Sequence, residues 1–260
     1  MDACYIGNQR MLLKTGYGGL LICPSDDLSL MPFLALTGVF ESPLTNYFSR
    51  MVKPGQVVVD VGANIGYFSV LLGHLIGQTG HLYAYEANPH LLHFLNDNLS
   101  LNYLHDRTQV RQEAVYHEPG DVTFHIAKRF MGNSSIREHD QSYNQHYTDE
   151  FEIVSVKAAV LDQELKHLPR IDWLKVDIEG GEYEAFLGME QLLRNKVNVT
   201  VFEVNKAMMQ HRWTAFTELL QKYHHDWGKS FYMLSQEGLP IPITLEQVIQ
   251  DGNYPFVLMC

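Results

Sequence analysis

Two groups of residues in this sequence are placed to do chemistry. The first is Asp60-Val61-Gly62-Ala63-Asn64-Ile65-Gly66, which closes the β-branched run Val57-Val58-Val59. Glycines at 62 and 66 let the backbone turn tightly and approach a ligand at the carboxyl end of a strand. The amides of a following helix would lie beside that ligand. Asp60 suits a ligand that carries a positive amino group. Glu86 closes the next apolar run, and an acid there can accept hydrogen bonds from both hydroxyls of a ribose. The spacing lacks the third glycine of a dinucleotide fingerprint. The pattern therefore describes a nucleoside-type ligand without a pyrophosphate, such as S-adenosylmethionine.

The second group is Lys175-Val176-Asp177-Ile178-Glu179, charged residues within an otherwise apolar stretch. Side chains alternate along a strand, so Lys175 and Asp177 share a side, with Glu179 following if the strand extends that far. Burying such charges is costly unless they are paired. That implies either function or an ion pair, Lys175–Asp177 or Lys175–Glu203. Glu179 and Glu182 could equally face solvent at a helix start, where the dipole favours acids. Asp177, Glu179 and Glu203 offer oxygen ligands that would suit magnesium, although the sequence contains no ligand-spaced metal motif. The pairs His90/His93 and His224-His225 read as solvated side chains. His125, near Asn133-Ser134-Ser135, is a candidate base. Trp213 and the Tyr143/Tyr147 pair read as packing, with stacking on a sugar face as the alternative.

Short apolar runs alternating with helix-length segments must position these groups. Strands are expected at Val57–Val61, His81–Glu86, Gln109–Val115, Ile171–Ile178, Asn198–Glu203, Phe231–Leu234 and Phe256–Met259. Helices are expected at Tyr67–Ile76, Pro89–Leu99, Glu182–Leu193 and Trp213–Tyr223. Alternation of this kind implies an α/β fold, a mainly parallel seven-stranded sheet with helices on both faces. Residues 1–53 read as a small N-terminal extension with a hairpin at Thr15–Gly19 and a helix at Pro43–Val52. Residues 54–260 read as the main domain. The polar stretch 128–150 reads as an insertion between Val122–Ile126 and Phe151–Lys157, either a substrate loop or a solvated one.

Bulk properties narrow the setting. The 260 residues are 46% hydrophobic and 19% charged, an ordinary globular balance. A net charge of −11 with scattered basic residues disfavours a nucleic-acid partner. No apolar run approaches a bilayer span, and the N-terminal residues do not read as a secretory signal, so none is expected. Cys4, Cys23 and Cys260 read as reduced thiols, so a soluble, cytoplasmic protein is expected.

Residues 38 to 205 resemble the FkbM family of S-adenosylmethionine-dependent methyltransferases. Val57–Ser69 (VVVDVGANIGYFS) is similar to the first family motif and Tyr85-Glu86-Ala87-Asn88-Pro89 to the second. Leu161–Leu165 (LDQEL) followed by Ile171–Glu182 (IDWLKVDIEGGE) resembles the most distinctive block. Gly38–Gly55 and Asn133-Ser134-Ser135 also look familial. Gly181 departs from the pattern, standing where alanine or an aromatic is expected. The resemblance implies a Rossmann-like class I methyltransferase that methylates a hydroxyl of a sugar, glycan or natural product. The expected cofactor set is Asp60, Gly62, Ala63, Asn64, Gly66, Tyr67, Glu86, Ala87, Asn88, Glu113, Ala114 and Asp177. The candidate catalytic set is Asp177, Lys175, Glu179 and His125. Two other readings stand beside it. One is a module that binds S-adenosylmethionine within a larger assembly without catalysis. The other is an NAD-dependent oxidoreductase, which the glycine spacing disfavours.

Overall fold

The computed structural model describes residues 3–139 and 143–260. In chain order its strands are β1 (Ala3–Tyr5), β2 (Arg10–Lys14), β3 (Leu20–Pro24), β4 (Val57–Val61), β5 (His81–Tyr85), β6 (Thr108–Arg111), β7 (Ala114–Val115), β8 (Gly120–Ala127), β9 (Phe151–Ala159), β10 (Ile171–Val176), β11 (Val197–Asn205), β12 (Phe231–Leu234), β13 (Pro240–Ile243) and β14 (Asn253–Met259). The central sheet has the order β13-β12-β14-β11-β10-β4-β5-β6. From β11 to β6 its strands run parallel, whereas β14, β12 and β13 pair antiparallel.

The two middle strands are nearly all apolar because both faces of the sheet are covered. Every residue of β10 is buried, as is all of β4 after Val57. Alternation divides their side chains between two cores. Val58 and Trp173 pack with the helix Tyr67–Leu75 on one face. Val59, Val61, Leu174 and Val176 pack with Phe186 and Phe216 from the helices Glu182–Leu187 and Trp213–Trp227 on the other. Asp60 and Lys175 are opposite each other in adjacent strands and share the first face.

Among the described residues the sheet has eight strands, one more than the sequence predicts. The additional strand, β13, carries Pro240 and Pro242, which hide it in the sequence. Prolines are tolerated there because β13 lies at the sheet edge. The expected strand Gln109–Val115 is two: β6 ends the central sheet, and β7 joins a separate sheet of order β7-β9-β8. The expected helix Glu182–Leu193 is broken at Gly188-Met189 into Glu182–Leu187 and Glu190–Asn195.

The first strands form an antiparallel sheet, β1-β2-β3. This front piece shares the main core: Leu13, Leu21, Cys23, Leu34 and Leu44 are buried in one cluster with Val58 and Leu72. Buried Asn98 stitches the two parts together. Its Oδ1 accepts from the Ile22 amide at 2.6 Å, and its Nδ2 donates to Ile22 O at 3.0 Å and Ile65 O at 2.7 Å. Antiparallel β8 and β9 flank the 128–150 connection, of which residues 140–142 lie outside the described set. Among the described residues, no helix is long and apolar enough to cross a membrane.

Candidate active site

The chain leaves β4 toward β5 and β6 on one side and returns to β10 and β11 on the other, so strand order reverses between β4 and β10. The carboxyl ends of strands at such a switch point open a crevice. Here the crevice is a cleft of about 1120 Å³, counted out to its open mouth. Its wall includes Gly62, Ala63, Asn64, Tyr67, Glu86, Ala87, Glu113 and Ala114, and also Lys175, Asp177 and Glu179.

One half of the cleft is organised around Glu86. Gly62 takes φ +79°, and a Cβ on it would lie 1.9 Å from Asp177 O, so only glycine lets the loop pass the end of β10. The loop then presents Asn64, whose amide donates to Glu86 Oε2 at 2.6 Å. The Asn88 amide donates to Glu86 Oε1 at 2.7 Å. Each carboxylate oxygen is thus held by one backbone amide and keeps lone pairs for the cleft. Glu86 is 6% exposed. Burial pushes its carboxyl up to about 7 despite the two amides, which act in the opposite direction. A ribose diol fits this arrangement, because a carboxylate so held accepts donors without having to be reoriented.

The other half is charged. Lys175 is 3% exposed, with Nζ 3.1 Å from Asp177 Oδ2 and 3.6 Å from Asp60 Oδ1. It also lies 5.3 Å from the centre of the Phe68 ring. Burial works against its ammonium, but Asp177, Asp60 and Glu41 outweigh burial and hold the pKa above the usual lysine value. Lys175 therefore remains charged and holds Asp177 in place. It is not a base. Asp177, Glu179 and Glu203 bring carboxylate oxygens within 4.8 Å of one another, and all three line the cleft. Burial, then the charge of Asp177, raises Glu179 well above the usual carboxylate range. Burial, then Glu179 and Asp177, does the same for Glu203.

Several expected site residues lie elsewhere. Asp60 is fully buried beneath the loop, where it accepts from Ser69 Oγ at 2.6 Å and pairs with Lys175, because strand alternation turns it toward the helix Tyr67–Leu75. Gly66 is outside the cleft wall. It begins that helix at φ +93°, where a Cβ would meet Leu95 Cδ1 at 2.7 Å. Asn88 is buried behind Glu86, with its Nδ2 unpartnered. His125 does not line the cleft. Its neighbour Phe124 does, and alternation along β8 turns His125 to the other side. Glu182 is buried rather than solvated, and its Oε1 accepts from the Ile178 amide at 3.1 Å. The expected Lys175–Glu203 pair is absent, since Lys175 takes Asp60 and Asp177 instead. Trp213 is core, and Tyr143 stacks on Tyr147 outside the cleft wall.

Sequence reasoning missed Glu41 and Arg137. Glu41 lines the cleft at φ +45°, and burial, then Asp177, pushes its carboxyl up to about 8. It stands just before the helix Ser42–Met51, where the helix dipole gives an acid an ordinary explanation. Arg137 Nε donates to Gly180 O at 3.2 Å, and its guanidinium contacts buried Glu184. Nothing local marks either role.

Among curated proteins, the chain is similar to methyltransferase sdnD of Sordaria araneosa, 29% identical over 167 residues, covering 54% of this chain and 64% of that one. It is also similar to methyltransferase 1 of Beauveria bassiana, 25% identical over 146 residues, covering 51% and 58%. The chain thus spans less than two thirds of the length of these relatives. Among solved structures, the methyltransferase FkbM of Methylobacillus flagellatus KT matches with a TM-score of 0.50 at 15% identity, covering 85% of this chain and 48% of that one. That likeness concerns the fold. The sequence model of the methyltransferase FkbM domain matches residues 60–231, from the end of β4 to the start of β12. The stretch contains the glycine loop, Glu86 and the charged end of β10, and the chain belongs to the FkbM methyltransferase family.

Proposed function

We propose that this protein is an S-adenosylmethionine-dependent O-methyltransferase whose acceptor is a hydroxyl of a sugar, a glycan or a natural product. The supporting observation is a single cleft that joins Glu86, held ready for a ribose, to the Lys175–Asp177 pair. When bound, the cofactor supplies a methyl group made electrophilic by its sulfonium. Glu86 binds the ribose, and the glycine loop approaches the nucleoside closely. Asp177 receives the acceptor hydroxyl, with Lys175 fixing the orientation of its carboxylate. An alcohol holds its proton tightly, so a base is needed. The Asp177–Glu179–Glu203 carboxylates, which line the cleft, supply it, either directly or by holding a cation that acidifies the hydroxyl. Tyr67 and Phe68 line the cleft near these charges and limit water there. Much of the rate then comes from alignment.

Turnover tests the reading. Incubation with S-adenosylmethionine and a panel of sugars and natural-product alcohols is expected to release S-adenosylhomocysteine and add one methyl group to the acceptor. Asp177→Asn is expected to lower turnover by about 10²-fold or more, and to lower it more than cofactor affinity. Full activity in Asp177→Asn would remove that residue from catalysis. Absence of product across the panel would favour a module that binds the cofactor without turning it over.

A further inference from the structure

The acidic end of the cleft gathers more carboxyl groups than Lys175 could balance if they were ionised together. Asp177, Glu182 and Glu41 bear electrostatically on Glu179, and Glu179, Asp177 and Glu182 on Glu203, while Lys175 is the cation that bears on Glu41 and Glu179. Lys175 is already shared between Asp60 and Asp177. Uncompensated carboxylates removed from water are costly unless something neutralises them.

We infer that Asp177, Glu179 and Glu203 form a binding site for one hard divalent cation of the magnesium or calcium class. Three observations support this. The three carboxylates come from two adjacent strand ends, and their oxygens lie within 4.8 Å of one another. Two oxygens each about 2.4 Å from a shared ion stand at most about 4.8 Å apart, so side-chain adjustment of a few tenths of an ångström would let the trio close on one. The ligands are all oxygen, which selects hard ions over zinc or copper. Independently, Glu182 from the next helix is 1% exposed, and its Oε2 has no hydrogen-bond partner although its charge acts on Asp177, Glu179 and Glu203. From a distant part of the chain, Glu41 brings a second unpartnered oxygen, Oε2, shielded from water in the cleft wall. An ion ligated by the trio would supply positive charge that both of these carboxyl groups lack. An ion held there would polarise a hydroxyl that coordinates to it. That role rests on the proposed O-methylation, but the site itself does not.

The test is a titration of the full chain, stripped of metals by chelator, with Mn²⁺ and no cofactor or acceptor. Free Mn²⁺ is followed by electron paramagnetic resonance, and Mg²⁺ and Ca²⁺ are used as competitors. One saturable site per chain is expected, displaced by at least one competitor. Glu203→Gln and Glu179→Gln should each weaken binding at least tenfold, while Glu86→Gln leaves it unchanged. Thermal unfolding of each variant confirms the fold. No saturable binding, or equal binding in the wild type and in a folded Glu203→Gln or Glu179→Gln variant, overturns the inference. Because no methyl transfer is involved, that failure is distinct from a failure of the proposed function, which would show as missing product with every ion supplied.

Discussion

In the proposed function, Glu86 is the carboxyl group that meets the ribose of the cofactor. Its pKa of about 7 has a directional consequence. Ribose hydroxyls donate to the ionised form, so binding is coupled to loss of a proton. Affinity for S-adenosylhomocysteine is expected to rise about tenfold between pH 6 and pH 8 and to flatten above. In Glu86→Gln the overall affinity should fall and this dependence vanish. Calorimetry at several pH values checks both, and an unchanged pH profile in the variant would remove Glu86 from the ribose role. The stability of the free protein runs the other way. Folding raises this pKa, so the group's contribution is fully present below the ordinary glutamate pKa and is lost as pH rises to about 7. Lys175 shows the opposite balance, since its neighbouring acids outweigh burial and keep it charged.

At the scale of elements, the decisive contact joins the 128–150 connection to the loop after β10. Ser135 Oγ donates to Glu179 O at 2.7 Å, and Arg137 Nε donates to Gly180 O at 3.2 Å. Glu179 itself sits at φ +54°, a conformation that surrounding structure must hold. Arg137 is anchored in turn by Glu184, which also meets Arg212 at 3.0 Å. Arg137→Met is expected to cost about 3 kcal/mol in urea unfolding, toward the low end for a broken buried pair because Arg212 remains on Glu184. Turnover should fall more than cofactor affinity, since the loop that relaxes carries Glu179 and not Glu86. Equal losses in both would mean that Arg137 acts on the fold alone.

At the scale of the molecule, the front piece and the central sheet share one core. Leu21, fully buried on β3, packs in the same cluster as Val58 and Leu72. Leu21→Ala is expected to cost about 2–5 kcal/mol and to shift one cooperative transition rather than release a separate early one. Two transitions in calorimetry would mean that residues 1–53 fold as an independent unit. Asn98, bridging Ile22 and Ile65, carries this coupling to the glycine loop itself.

Much of the architecture was legible in the sequence because local patterns decide it. The β-branched run before Gly62 calls for a strand covered on both faces, and the glycine spacing disfavours a pyrophosphate cradle. The strand-end acid Glu86 and the charged stretch from Lys175 to Glu179 stand out against apolar neighbours. Other features depend on which segments meet. Asp60 reads locally as a ligand contact, yet alternation beside β10 makes it the buried partner of Lys175. Pro240 and Pro242 argue against a strand until an edge position admits them. Glu41 and Arg137 are ordinary residues in sequence, and Glu203 reads there as a partner of Lys175, yet meets Asp177 and Glu179. They join the site only because the sheet order reverses between β4 and β10 and brings the ends of distant strands, and the loops packed on them, to one crevice. Motif spacing records what a single segment can bind, whereas the partners of a buried charge are chosen by the packing of the whole chain.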